Sequence, residues 1–270
     1  MNISTHLQRI NKAFGSGTPR GYWRLYISYA CNYCFNRPLL VGLTRKQRYR
    51  TEKKLLYTAI TAGYDSLNEI PQPLPNWDFI CYTDNPSLSS DTWQIRLLKN
   101  ELDLDPVRLS RQVKINNHLV DGGYDISVYI DANFRIRGDL DTFVAHVLPP
   151  GERFVMLLHP FHSSLREEVE LCVRVGKDEE SLLRSQYRHY VEEQGFDDPY
   201  PHVAGSMILR RAGHDDIRRL MQTWFDQLLR WSRRDQMAFN YALSRQRVFP
   251  HYAPYWMLRR YFKKMDHGRG

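Results

Sequence analysis

The stretch Tyr124-Asp125-Ile126-Ser127-Val128-Tyr129-Ile130-Asp131-Ala132-Asn133 decides how this chain reads. Ile126, Val128 and Ile130 alternate as a buried strand does, and Asp131 and Asn133 fall just past its end. Ligands of open α/β sheets bind in the crevice outside such carboxyl ends. Two oxygen-bearing side chains, one residue apart, can there face a hard cation or a ribose together. A strand followed by an Asx turn yields the same residues with no function at all, so the flanking sequence has to decide.

Upstream, Asp105-Pro106 has the form of a helix start, a capping side chain followed by proline at the first helical position. The predicted helix runs to about Val120 with Leu109, Val113 and Leu119 near its buried side, and Asp121-Gly122-Gly123 stops it. Arg108, Arg111 and Lys114 recur along it at intervals of three. If their face looks toward Asp131, three cations converge on a place suited to a diphosphate, which arginine grips through paired hydrogen bonds. Otherwise they form a solvated cationic face.

Working outward, 55–60 reads as a first buried strand ending in Thr61-Ala62-Gly63-Tyr64-Asp65, where Gly63 permits positive φ. Pro71, Pro73 and Pro75 mark a loop. A second strand spans 78–84, and 93–98 is a short edge strand. Further predictions are a helix over 139–147, a strand over 154–158 ending at His159-Pro160, and a largely helical stretch over 164–194 broken at Gly176. A strand over 204–209 then leads into helices over 215–231 and 234–243. No internal repeat is present. Strands alternating with helices predict an α/β fold, a single domain with a mainly parallel central sheet flanked by helices.

The 270 residues suit one such domain with terminal additions: a basic extension over 1–54, the domain over 55–250, and a basic aromatic segment over 251–270. Net charge is +8, but 1–54 carries eleven Lys or Arg against Glu52 alone, whereas the middle of the chain is mildly acidic. Basic ends on an acidic body suggest contact with an anionic surface through the termini rather than a nucleic-acid face, which needs a basic stripe on the folded domain. No apolar run is long enough for a transmembrane helix and no signal-peptide pattern opens the chain, so the expected location is cytoplasmic, at most at the inner face of a membrane. Residues 1–19 are polar, and 22–41 reads as a packed excursion. Cys31 and Cys34 have the spacing of half a zinc site that nothing in the chain completes.

Several residues carry candidate chemistry. Asp131 and Asn133 offer two oxygens to Mn²⁺ or Mg²⁺, ions that commonly complete their shell with substrate phosphates. Arg234-Asp235-Gln236 opens a helix, so Asp235 either caps it or forms an acid/amide pair beside a reacting group. His159 binds phosphate or metal, or is a hydrogen-bonded loop histidine. His251 is a possible late metal ligand. Residues 255–264 mix large aromatics with cations, either as an interfacial helix among lipid headgroups or as a helix docked on the body.

In this order the pieces Tyr57-Thr58-Ala59-Ile60, Gly63-Tyr64-Asp65, Cys81-Tyr82-Thr83-Asp84, Arg111 to Lys114, Tyr129 to Asn133, His159-Pro160 and Arg234-Asp235-Gln236 resemble a glycosyltransferase of the GT-A type. They are more closely similar to the glycosyltransferase-like domain family of bacteria and plants once catalogued as a domain of unknown function. The later half also resembles the galactosyltransferase and glycogenin type, through Ala204-Gly205-Ser206 and Asp235-Gln236. The resemblance implies a GT-A-like (Rossmann-like) fold. It sets Thr61, Gly63 and Asp84 near a nucleotide, Asp131 and Asn133 at its metal and diphosphate, and Asp235 and Gln236 near the anomeric carbon or acceptor. Tyr64, Arg108, Arg111, Lys114 and His159 complete the expected donor-binding set. Asn133 stands where such families carry a second carboxylate, and no His-x-x-Gly-x-Lys occurs near the C-terminus.

The expected function is transfer of a sugar from a nucleotide-sugar donor to a surface polysaccharide or glycolipid, and the Asp235-Gln236 resemblance implies retention of configuration. Three rivals remain. A non-catalytic nucleotide-binding module would hold nucleotide without turnover. A phosphotransferase would use Asp131 as nucleophile, and a nucleic-acid binder would use the basic arm.

Overall fold

The computed structural model describes Tyr49 and residues 51–72, 74–116 and 123–268. The expectations for 1–48, for Cys31 and Cys34, for Pro73 and for the helix end beyond 116 lie outside these residues.

A seven-stranded sheet organises the fold. It holds β1 (Lys54–Ile60), β2 (Trp77–Thr83), β3 (Gln94–Leu97), β4 (Ile126–Ile130), β6 (Phe154–Leu158), β7 (Val203–Arg211) and β8 (His251–Ala253), in the order β3-β2-β1-β4-β7-β6-β8. All neighbours are parallel except those of β7, which runs antiparallel to both β4 and β6. The sheet is therefore mainly parallel, as expected. Its central strands β1 and β4 are buried on both faces. A separate ribbon pairs β5 (Phe134–Ile136) with β9 (Phe262–Lys264).

Side-chain parity sorts β4 between two cores. Ile126, Val128 and Ile130 join the layer built with helix α2 (Leu140–Val147) and α7 (Tyr255–Tyr261). Tyr129 joins the layer under α1 (Pro106–Ile115), α5 (Asp215–Arg230) and α6 (Asp235–Gln246). Helices α3 (Leu165–Arg174) and α4 (Glu180–Arg188) cover a third cluster against α6. Residues 251–264 join this body: β8 extends the sheet, and Met257, Leu258, Tyr261 and Phe262 are core residues. The docked reading of 255–264 thus holds, and its rings face inward rather than toward lipid.

Helix α1 matters most for the site, and both its ends are tied. The Asp105 carboxylate accepts from the amides of Val107 (3.0 Å) and Arg108 (3.2 Å). At the other end fully buried Arg210 of β7 donates to the carbonyls of Ile115 (2.7 Å) and Lys114 (2.9 Å) and to the Tyr57 hydroxyl. A guanidinium suits these carbonyls, which lack partners inside the helix and carry the negative end of its dipole. Arg210→Met leaves them without this donor, so urea unfolding should show a loss of about 3 kcal/mol. A loss below about 1 kcal/mol would show that Arg210 does not fix the helix end.

Candidate functional site

The site begins under the surface, at the last turn of α1. There the Lys114 ammonium lies 2.5 Å from Asp235 Oδ2, and both side chains are almost fully buried. Burial alone would raise the Asp235 carboxyl, but Lys114, Arg111 and Arg234 outweigh it and hold the group well below the usual carboxylate range. Burial also lowers the Lys114 ammonium, a shift that Asp235 opposes. Asp235 is the first residue of α6 and does not cap it, because its carboxylate is spent on this ion pair.

Gly205 makes room for the pair. A Cβ at that position would stand 2.8 Å from Lys114 Nζ and 3.1 Å from Asp235 Oδ2. The strand is irregular here, since the β6–β7 register shifts between Met156 and Leu157. Such a break lets backbone approach a site closely, as glycine in a strand often marks. The neighbouring Ser206 carbonyl accepts the Asp131 amide at 3.0 Å, which ties the end of β4 to the same place.

Above the pair, Arg111 and Asp131 face a common cavity of about 450 Å³. Arg111 is 23% exposed with its Nε 3.5 Å from Asp235, and Asp131 is 34% exposed. Burial opposes the Arg111 charge, but Asp235, Tyr129 and Asp131 raise its pKa, so the guanidinium is firmly cationic. The Tyr129 hydroxyl donates to Asp131 Oδ1 at 3.0 Å, and Lys114 Nζ stands 4.0 Å from the same oxygen. Burial, followed by the Asp131 charge, lifts the Tyr129 hydroxyl well above its ordinary range, so it stays a donor. Lys177, Arg233 and Arg234 add three cations to the cavity wall, and Asp65 adds a second carboxylate. A polar cavity with cations on two sides and one carboxylate at a strand end suits a phosphorylated ligand.

A family model described as the TOD1/MUCI70 glycosyltransferase-like domain matches residues 83–262. The chain belongs to that family. No curated protein matches it. The family match agrees with the resemblance read from the motifs at the level of a glycosyltransferase-like domain and a general glycosyltransferase role. It takes in Arg111, Asp131, Lys177 and Asp235, while Thr61, Asp65 and His267 of the same cavity lie outside it.

The other expected positions of this glycosyltransferase-like domain divide sharply. Thr61 and Tyr64 line the cavity, with Thr61 also donating to the Pro106 carbonyl at 2.7 Å. Gly63 has φ +61° beside Ala62 at +52°. Asp84 serves this turn, both its oxygens accepting the Ala62 amide at 3.0 Å. Arg108 turns away from the cavity. It pairs with Asp105 and donates to the carbonyls of Leu228 (2.7 Å) and Trp231 (2.6 Å), closing the end of α5. Lys114 lies beneath the cavity instead of on its wall. Asn133 is buried, with its side-chain nitrogen 3.5 Å from both the Met265 carbonyl and His267 Nε2. Gln236 ties Arg234 to the Val203 carbonyl and is packed rather than open. His251 sits on β8, at the far edge of the sheet and three strands from β4, so it does not meet Asp131.

His159 belongs to a second polar cluster. Its Nδ1 accepts the amides of His162 (2.8 Å) and Phe161 (3.3 Å), and burial followed by the charges of His202 and His162 lowers its pKa to about 3. His159, His162 and Glu168 bring ligand atoms within 4.8 Å of one another. The set does not fit a metal well, because Glu168 Oε1 already holds Arg234 at 2.6 Å and the backbone occupies His159 Nδ1. Its evident result is to fix Arg234 at the cavity wall.

For a divalent ion at the cavity, Asp131 is the residue with an open carboxylate, and one carboxylate plus substrate phosphates is a common Mg²⁺ arrangement. His267, which the motif reading missed, lies at the same mouth, with Nδ1 2.8 Å from Asp65 and its ring 4.9 Å from that of Tyr64. Its exposed setting in a tail gave no periodic signal.

Removing one partner of the buried pair strands the other. Asp235→Asn should cost about 3–5 kcal/mol in urea unfolding, and adding Lys114→Met should recover most of it. Gly205→Ala should cost about 1–3 kcal/mol through overpacking. If Asp235→Asn unfolds like the parent protein, the pair is not a structural constraint.

Proposed function

We propose that this domain transfers a sugar from a nucleotide-sugar donor to a surface polysaccharide or glycolipid. The observation that carries the reading is the meeting of Arg111, Asp131 and the Lys177/Arg233/Arg234 cations in one cavity at the carboxyl end of β4. In this reading the nucleotide lies toward the turn at Thr61 and Tyr64. Arg111, braced by Asp235, binds the diphosphate by paired hydrogen bonds and stabilises it as it leaves. Mn²⁺ or Mg²⁺ held by Asp131 would supply further positive charge to the same phosphates. Asp235 is a positioning residue here: fully paired with Lys114, it acts on the sugar through Arg111, and Gln236 acts through Arg234. The rival reading, a binding module of the same fold without turnover, shares every donor contact and differs only in the absence of transfer.

Thermal unfolding in the presence of nucleoside diphosphates and nucleotide sugars tests the donor site. The parent protein should be stabilised, further so with Mn²⁺. Arg111→Met should weaken diphosphate affinity by about tenfold or more, since a charged hydrogen bond contributes about 1.5–3 kcal/mol. Asp131→Ala should abolish the Mn²⁺ increment alone. Nucleotide binding that is indifferent to Arg111→Met would remove the proposal, and binding without sugar release from any donor would favour the non-catalytic reading.

A further inference from the structure

On the α2 side of the sheet a second cavity of about 560 Å³ runs along the β5–β9 ribbon, away from Arg111 and Asp131. Its wall is aliphatic, with Ile70, Leu74 and Ile136, and its rim carries Arg135, Arg137 and Lys263. Arg135 and Lys263 stand directly opposite each other in the antiparallel register, both exposed. Like charges in that relation repel and destabilise a ribbon. Neither has a carboxylate partner among the described residues, and the two differ from isolated exposed arginines such as Arg188 in facing each other across a ribbon. The carboxylate at this cavity, Asp139, accepts the Thr142 amide at 2.7 Å as the cap of α2. Exposed Arg259, Arg260 and Lys264 follow closely in α7 and β9, and extend the basic character of this part of the chain.

We propose that this face is a docking surface for an anionic lipid bilayer, with a lipid phosphate between Arg135 and Lys263 and the adjoining glycerol and upper chain against Ile70, Leu74 and Ile136. The charge complementarity selects an anionic partner, and each cation near such a surface contributes about 1 kcal/mol. The wall then selects an amphiphile. Among the described residues no aromatic ring lines the cavity, and so none offers the stacking platform on which single-stranded nucleic acids rest. No helix among the described residues is long and apolar enough to cross a membrane, so attachment by this face is peripheral. The site differs from an interfacial helix, because the aromatics of α7 are committed to the core.

The test is co-sedimentation of the full chain with vesicles of phosphatidylcholine containing phosphatidylglycerol, against vesicles of phosphatidylcholine alone. Binding should require the anionic lipid and fall as salt is raised. Arg135→Glu places a carboxylate opposite Lys263, so it should keep or raise the melting temperature while weakening vesicle binding about thirtyfold, the effect of two charges. Arg188→Glu on α4 makes the same change in net charge and should leave binding within about twofold. Equal loss in both variants would assign the effect to net charge and overturn the site. So would equal binding to neutral vesicles, or binding of duplex DNA without binding of anionic vesicles.

Discussion

The buried pair of Lys114 and Asp235 is the constraint on which the rest of the site depends. Taking two charges out of water is costly, and the cost is recovered only when each sits hard against its partner. Three elements have to agree for that to happen. Helix α1 must end where Arg210 holds its last carbonyls, β7 must pass with a glycine rather than a side chain, and α6 must begin at Asp235. A small error in any of them separates the charges in a place that water does not reach. The pair thus converts an electrostatic penalty into a tight specification of where three elements meet, and Arg111 and Asp131 stand immediately above that junction.

Helix geometry explains why only one of the three cations on α1 reaches the cavity. Residues three apart are rotated by about 60° around the axis, so Arg108 and Lys114 point about 120° apart with Arg111 between them. Arg108 therefore meets the end of α5, Lys114 enters the floor, and Arg111 faces the opening. The spacing had suggested convergence of all three on one ligand. It produces a division of labour instead, with one cation closing a neighbouring helix, one neutralising a buried acid and one available to solvent.

The fold was legible because its signals are local. The alternation in 126–130, the Asp105-Pro106 cap and the Gly176 break each depend on a few neighbouring residues, and each lies where it was expected. The short β5, β8 and β9 strands were not legible, because three residues carry too little pattern and their pairing joins segments far apart in the chain. Arg111 and Asp131, expected to share a pocket, do line one cavity, and each sits on an element that the sequence marks clearly. Asp84 is held by the Ala62 amide and Asn133 lies beside the tail, placements that no local pattern signals because a short polar side chain after a strand serves a turn as readily as a ligand. Lys177 and Arg233 were missed for a different reason. They sit in loops after α3 and before α6, and only the packing of α3 and α4 against α6 carries them to the wall that α1 faces.

The charge of the cavity bears on how such a domain handles a diphosphate without a second acidic residue beside Asp131. Four cations line the cavity against two carboxylates, and one of those, Asp65, is engaged by His267. Burial raises the Asp65 carboxyl, the His267 contact opposes that shift, and Asp131 adds to it. A phosphate entering here meets a positive field before any metal is considered, and guanidinium groups held by buried acids cannot turn away to solvent. In a site of this kind an added carboxylate would offset the very field that attracts the ligand. The amide at 133, directed to the tail that carries His267, leaves that field intact and fastens the cavity mouth at the same time.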